Sequence, residues 1–274
     1  MPDRWLVLGV LVALVAAGSA KVPAPAPRQS GVLVVRTEIR IAPHPKSDAQ
    51  RQVRPVPATR PARPSPVRIE ACHPSGAPVP LAAVDPAVTA RIDRAWSRIE
   101  RWLAQHAPAS YASLRPPASP ADIARTQAVL GRHLPAELVA SLRRHDGVAL
   151  DRGSSFSLPP FYTPMSAATI GSDWKSLCDV FQSLGGLVGA QWWSPAYTAF
   201  ASAGDGGSLL LDQRPGRVPH VGEFFAEDGT NFTRWPASLT DLLELTAQTL
   251  QTGQSWDHNR PVVRSGVLTW DILR

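Results

Sequence analysis

WWSPAYTAFASAGDGGSLLLDQRPG, running from Trp192 to Gly216, is the stretch that decides the fold of this chain. Two short apolar runs, Tyr197–Ala201 and Ser208–Leu211, flank the turn Ala203-Gly204-Asp205-Gly206-Gly207. Strand formers on either side of residues that tolerate positive φ predict a hairpin. Asp212 and the turn Arg214-Pro215-Gly216 close the second strand and send the chain back. Helical patterns lie on both sides in sequence, so this meander is expected to supply the sheet on which they pack.

Downstream, Val218–Phe225 (VPHVGEFF) and Asn231–Trp235 (NFTRW) read as two further strands around Asp228-Gly229. Ser238 and Asp241 form a capping box that opens SLTDLLELTAQTL, with Leu242, Leu243, Leu245 and Leu250 available to the core. The C-terminal RPVVRSGVLTWDIL reads as a hairpin turning at Ser265-Gly266 and is expected to add an edge pair to the sheet. Upstream, Ile170, Trp174, Leu177 and Phe181 recur at helical spacing between Ser166 and Phe181. Phe156–Tyr162 (FSLPPFY) reads as a short strand running into a turn. Before it, Ser119-Pro120 with Asp122 opens a helix through Ile123, Gln127 and Leu130 that Gly131 stops. Leu134-Pro135 starts another, with Leu138, Val139 and Leu142 inward and His145-Asp146-Gly147 at its end. The first helix carries Ile92, Trp96, Ile99 and Leu103 and ends before Pro108. Segregated strands and helices without βαβ alternation give an α+β fold: an antiparallel meander sheet packed with about five helices in a single domain.

The formal net charge of +6 is unevenly placed. Lys21–Val84 carries ten Lys/Arg against three Asp/Glu, whereas the chain from Asp85 onward carries seventeen against eighteen. The basic character belongs to a segment outside the expected domain, which argues against specific nucleic-acid binding. Lys21–Pro86 holds fourteen prolines in sixty-six residues and reads as a largely disordered proline-rich stalk. Residues 5–17 form an unbroken apolar run. A cleaved signal, a short anchor and a start placed too far upstream all fit it, and membrane association through residues 5–20 follows from the second. The expected organisation is therefore a leader over 1–20, a linker over 21–86 and a domain over 87–274. A cytoplasmic domain is expected, because Lys21, Arg28 and Arg36 follow the apolar run. Cys72 and Cys178 lie far apart without a CxxC pair, and two unpaired thiols in a reducing compartment is the expected state.

No GxSxG, HExxH, Walker A sequence or zinc-ligand pair is present. No catalytic, cofactor or metal residue is assigned. His145 beside Asp146 is better explained as a helix-end histidine, and Cys178 as packing. Leu184–Gly189 (LGGLVG) lacks the spacing of a dinucleotide fingerprint. The turn Gly204–Gly207 needs no ligand to explain it. Acids recur around the turns, at Asp205, Asp212, Glu223, Glu227 and Asp228, and they suit a rim facing a basic protein better than a metal site. Nine tryptophans against three tyrosines leave Trp193 and Trp235, beside turns, as candidate exposed anchors. The expected partner-binding set is Trp193, Asp205, Asp212, Glu223, Asp228 and Trp235.

These words in this order resemble the SUKH superfamily, in particular the Smi/Knr-like domain type named after the yeast regulator of cell-wall assembly. The matching pieces are the Trp96/Ile99/Trp102-Leu103 helix, LRPPASPADI, LGRHLPAEL, the helix ending HDG, and LPPFY. They continue through WWSPAYTAFA-x-x-GDGG-x-LLLD-x-x-PG, the VGEF strand and PASLTDLLEL, covering Ala90 to Gly253. The resemblance implies an α+β domain that binds other proteins and has no established catalytic centre. Bacterial members of the family resemble immunity proteins that neutralise polymorphic toxins, and fungal ones resemble signalling scaffolds. It therefore implies a protein partner, with a basic toxin domain expected, and supplies no site residue position by position.

Overall fold

The computed structural model of the chain describes residues 69–150, 153–185 and 192–273. A short 3-10 turn at Glu70–Cys72 precedes helices α1 (Pro86–His106), α2 (Pro108–Ala112), α3 (Pro120–Leu130) and α4 (Ala136–Arg144). Then come strand β1 (Thr163–Pro164), helix α5 (Ala167–Ser183), and strands β2 (Tyr197–Ser202), β3 (Ser208–Asp212), β4 (Val221–Phe225) and β5 (Gly229–Asn231). Helix α6 (Leu239–Thr252) and strands β6 (Asn259–Arg264) and β7 (Val267–Ile272) complete the described chain. Strands β1 to β5 pair antiparallel in sequence order, so the meander around Trp192–Gly216 is the organising sheet of an α+β fold.

The helices form where caps and stripes coincide. Asp85 accepts from Ala87 N at 2.7 Å to start α1, whose inward stripe is Ile92, Ala95, Trp96, Ile99 and Leu103. That stripe packs against α4 and α6. The Ser119/Asp122 capping box is complete, and Gly131 ends α3 at φ 66°. Ser238 accepts from Asp241 N at 3.0 Å to open α6. On α5 the buried positions are Ile170, Trp174, Cys178 and Phe181, with Leu177 half-buried. The inward stripe is thus turned by one residue relative to expectation. All five residues of β3 are buried, which is why Ser208–Leu211 reads as a continuous apolar run.

Three parts of the strand pattern differ from the sequence reading. FSLPPFY contributes only an isolated bridge, Leu158 to Tyr162, around a cis Pro159–Pro160 bond, and the strand starts later, at Thr163. NFTRW leaves the sheet after Asn231, because the Asn231 carboxamide oxygen accepts from Thr233 N at 2.9 Å and turns the chain. The C-terminal hairpin forms, with Ser265 and Gly266 both at positive φ, but as a separate two-stranded sheet. The edges of the meander are two and three residues long, and one carries Pro164, which has no N–H to donate. The hairpin instead docks on α2: Gly266 O accepts from Ala109 N at 3.0 Å, and Ser110 Oγ accepts from Leu268 N at 3.0 Å.

The folded region reaches further upstream than Asp85. Ile69, Leu81 and Val84 pack against the core, and the Gln127 side chain donates to Val79 O at 3.2 Å. Cys72 and Cys178, expected to be free thiols, form a disulfide with a Cα–Cα distance of 5.5 Å. Prolines stop the segment from adopting regular structure, but they do not stop it lying back along α5 and burying Cys72 there. The apolar run, the basic character and most of the proline-rich stalk lie outside the described residues. Among the described residues no helix is long and apolar enough to cross a membrane.

Candidate partner-binding site

The strand register sorts the candidate residues by position. Ser208 faces Phe224 across the β3–β4 ladder, so the β2–β3 turn and the β4–β5 turn lie at the same end of the sheet. Asp205 and Asp228 are exposed there, the former shaping its own turn by accepting from Gly207 N at 3.2 Å. Asp212 lies at the opposite end, across from Tyr197. The six residues therefore do not form one face.

Four of the six are withdrawn from solvent. The Asp212 side chain is 2% exposed and accepts from Arg214 N at 3.0 Å and from the Arg214 guanidinium at 2.7 Å, with Arg217 at 3.7 Å. Burial alone would raise its carboxyl, but the Arg214 hydrogen bonds and charge more than offset this and hold it below the ordinary value. Arg214 also lies over the Tyr197 ring, 5.1 Å from its centroid. Glu223, in the middle of β4, pairs with Arg234 and accepts from the Tyr162 hydroxyl at 3.2 Å. Both acids are committed inside the protein and are corrected as partner contacts.

Trp193 and Trp235 are likewise core residues, at 2% and 5% exposure. Trp193 meets Phe181 edge-on, with ring centroids 5.6 Å apart; Trp235 meets Tyr162 edge-on at 5.6 Å and Trp256 at a tilt at 5.2 Å. Proximity to a turn misled here: a domain with few tyrosines uses tryptophan to fill the space between sheet and helices. Of the expected set, Asp205 and Asp228 remain available to a partner.

The structure adds a feature the sequence reading did not single out. A groove of about 420 Å³ opens at the Asp205 end of the sheet. Its floor is one face of α5, where Ser166, Thr169 and Asp173 follow at helical spacing, and Pro164 of β1 forms a wall. Gly204 forms part of the lip, one residue before Asp205, and Leu150, 85% exposed, stands at the mouth. Gly147 sits behind the wall at φ 67°, where a Cβ would meet the Met165 and Ser166 backbone at 2.5 Å, so only glycine lets the two segments approach. Asp173 Oδ2 is buried and, among the described residues, has no hydrogen-bond partner. Burial pushes this carboxyl up to about 6, and among the described residues no cation pairs with it to bring it down. The sequence does not single out Asp173, and only the fold, which brings Pro164 of β1 and α5 to one groove, shows it there.

His145 is held between Glu100 and the Arg115 carbonyl, with both nitrogens 2.8 Å from oxygen. Glu100 also takes a bidentate contact from Arg144. Burial acts to raise Glu100, yet Arg144 and His145 together keep it below the ordinary range. Asp146, the other half of the sequence pair, accepts from Ala167 N at 2.7 Å. The pair is a joint between α1, α4 and α5. Among the described residues, no three His, Cys, Asp or Glu side chains converge on a point that could hold a metal ion.

Residues 117–245 match the SMI1/KNR4 family (SUKH-1). The match runs from the α3 cap through the meander into α6, and this region is an SMI1/KNR4-type (SUKH-1) domain. No curated protein matches the chain.

Proposed function

We propose that the domain acts by binding another protein rather than by catalysis, as an immunity-type protein that neutralises a toxin. The observation that carries this reading is the SMI1/KNR4 match over the region that contains the exposed acidic turns and the groove. The family is consistent with an immunity-type or a cell-wall-related protein. The acidic end of the sheet, with Asp205 and Asp228 exposed, suits a basic partner.

The test is binding of the full chain to the product of an adjacent reading frame that encodes a secreted toxin, measured at two salt concentrations. Asp205→Lys and Asp228→Lys should each slow association, with the difference shrinking at high salt. A complex whose kinetics ignore both changes places the interface elsewhere. Absence of any complex, or rescue of no toxic phenotype on co-expression, contradicts the immunity reading.

A second reading, an envelope-associated scaffold, is favoured by one observation. The Cys72–Cys178 bond ties the C-terminal part of the proline-rich segment to α5, and such bonds persist in oxidising compartments. Non-reducing mass analysis of the protein isolated from its native host, with thiols trapped at lysis, decides it. Free thiols return the domain to the reducing compartment.

A further inference from the structure

We infer that the groove between α5, β1 and the β2–β3 turn is a socket for one basic side chain, arginine or lysine, of the protein partner, with Asp173 as its counter-ion. This deepens the protein-binding reading and rests on it. Three features carry it. Asp173 Oδ2 is shielded from water and unpaired among the described residues, so the chain holds an acceptor that it does not itself use. Buried acceptors left unmade are expensive and uncommon, and a ligand donor resolves them.

The second feature is shape. At about 420 Å³ the groove takes a long side chain, being of the size that ligand sites commonly have. The third is the chemistry of its walls. Val148, Pro164 and Leu150 give apolar surface for the methylene stem of a lysine or arginine, whose charged head then reaches the acid. A partly desolvated carboxylate also interacts with a cation more strongly than an exposed one does.

Among the described residues, the cations at or near the groove do not fill this role. Arg115 lines the groove, but its guanidinium is 3.6 Å from Asp146 and its side chain is 48% exposed. Lys175, two positions further along α5, is exposed and lies outside the groove lining. Asp205, next to the Gly204 lip, adds a second negative group near the entrance without blocking it. A basic side chain approaching this end of the sheet thus meets an exposed acid first and a shielded one at the bottom.

The experiment titrates N-acetyl-arginine methylamide and N-acetyl-lysine methylamide into the full-length protein, followed by amide NMR. Saturable shifts at Thr169, Asp173 and Ser202–Gly204 are expected, with a Kd in the millimolar range. N-acetyl-citrulline methylamide keeps the shape without the charge and should bind at least fivefold more weakly. Asp173→Asn, close to isosteric, should weaken the cationic probes at least fivefold, and its own spectrum reports whether the fold is kept. Leu150→Ser should weaken all three probes by a similar, smaller factor. Absence of saturable shifts overturns the socket, as does equal binding by citrulline, which would make it a purely apolar groove. Preference for N-acetyl-glutamate methylamide also overturns it, by making Arg115 the recognition group. The probes contain no partner surface. A negative result therefore removes the socket and leaves the binding test on Asp205 and Asp228 to decide the wider function.

Discussion

Asp212 and Asp173 are both carboxylates taken out of water, and the protein treats them in opposite ways. Asp212 closes β3 and is surrounded: the Arg214 backbone and guanidinium hold it, with Arg217 behind. Its carboxyl is accordingly held below the ordinary value. Asp173 lines a groove on α5 with one oxygen unpaired among the described residues, and its carboxyl rises to about 6. Arg132 shows that the fold can satisfy even an isolated buried charge. Among the described residues it has no carboxylate partner, yet it donates to Tyr197 O, Thr198 Oγ1 and Gln213 Oε1. Among the described residues two buried side-chain atoms lack a hydrogen-bond partner, Asp173 Oδ2 and Trp235 Nε1, and of these Asp173 is the one that lines a groove and carries a charge.

Changes around these acids separate the two cases, and the largest effect should come from the clamp on α5. Replacing both cysteines by serine opens a crosslink spanning 106 residues and should lower stability by about 4 kcal/mol in chemical unfolding. Asp173 shares α5 with Cys178. If the Asp173→Asn effect persists unchanged in the serine background, its isolation is a property of the groove and not of the clamp. Next, Arg214→Leu strands Asp212 and should destabilise by about 3 kcal/mol at pH 7. That loss should shrink as pH falls towards the ordinary Asp value of 3.8 and below it, because burial without Arg214 favours the protonated Asp212 and protonation removes the uncompensated charge. A loss that is constant with pH would show that Arg214 matters through its packing on Tyr197 instead. The smallest effect should come from Asp205→Lys, which alters an exposed turn and should change stability by less than about 0.5 kcal/mol.

Much of this architecture was legible in the sequence. The hairpin around Gly204–Gly207, the Ser119/Asp122 capping box and the Ser265-Gly266 turn are local features, where a few side chains decide backbone conformation by themselves. The candidate site was less legible because burial is not local. Trp193 and Trp235 look like anchors until the sheet and helices close over them. Asp212 and Glu223 look like rim acids until Arg214 and Arg234 come round to meet them. Cys72 and Cys178 could not be paired from spacing, since the proline-rich segment gives no periodicity to show that it returns to α5. Asp173 sits between the buried Ile170 and Trp174, which marks it as near the core without saying which face β1 would cover.

The unpaired state of Asp173 is the point on which the account turns, and it can be measured without a partner. A folded-state carboxyl at about 6, against the ordinary 3.8, means that the folded protein holds this proton more tightly than the unfolded chain does. The ionised group therefore destabilises the fold above pH 6, and the penalty disappears as pH falls towards 4. Urea unfolding of the natural protein and of Asp173→Asn, from pH 8 to pH 4, reads this directly. The variant should be more stable by about 2 kcal/mol at pH 7.5, with the gap closing through pH 6 and gone by pH 4. An equal or less stable variant at pH 7.5 would contradict the account, because Asp173 would then have a satisfying partner within the chain.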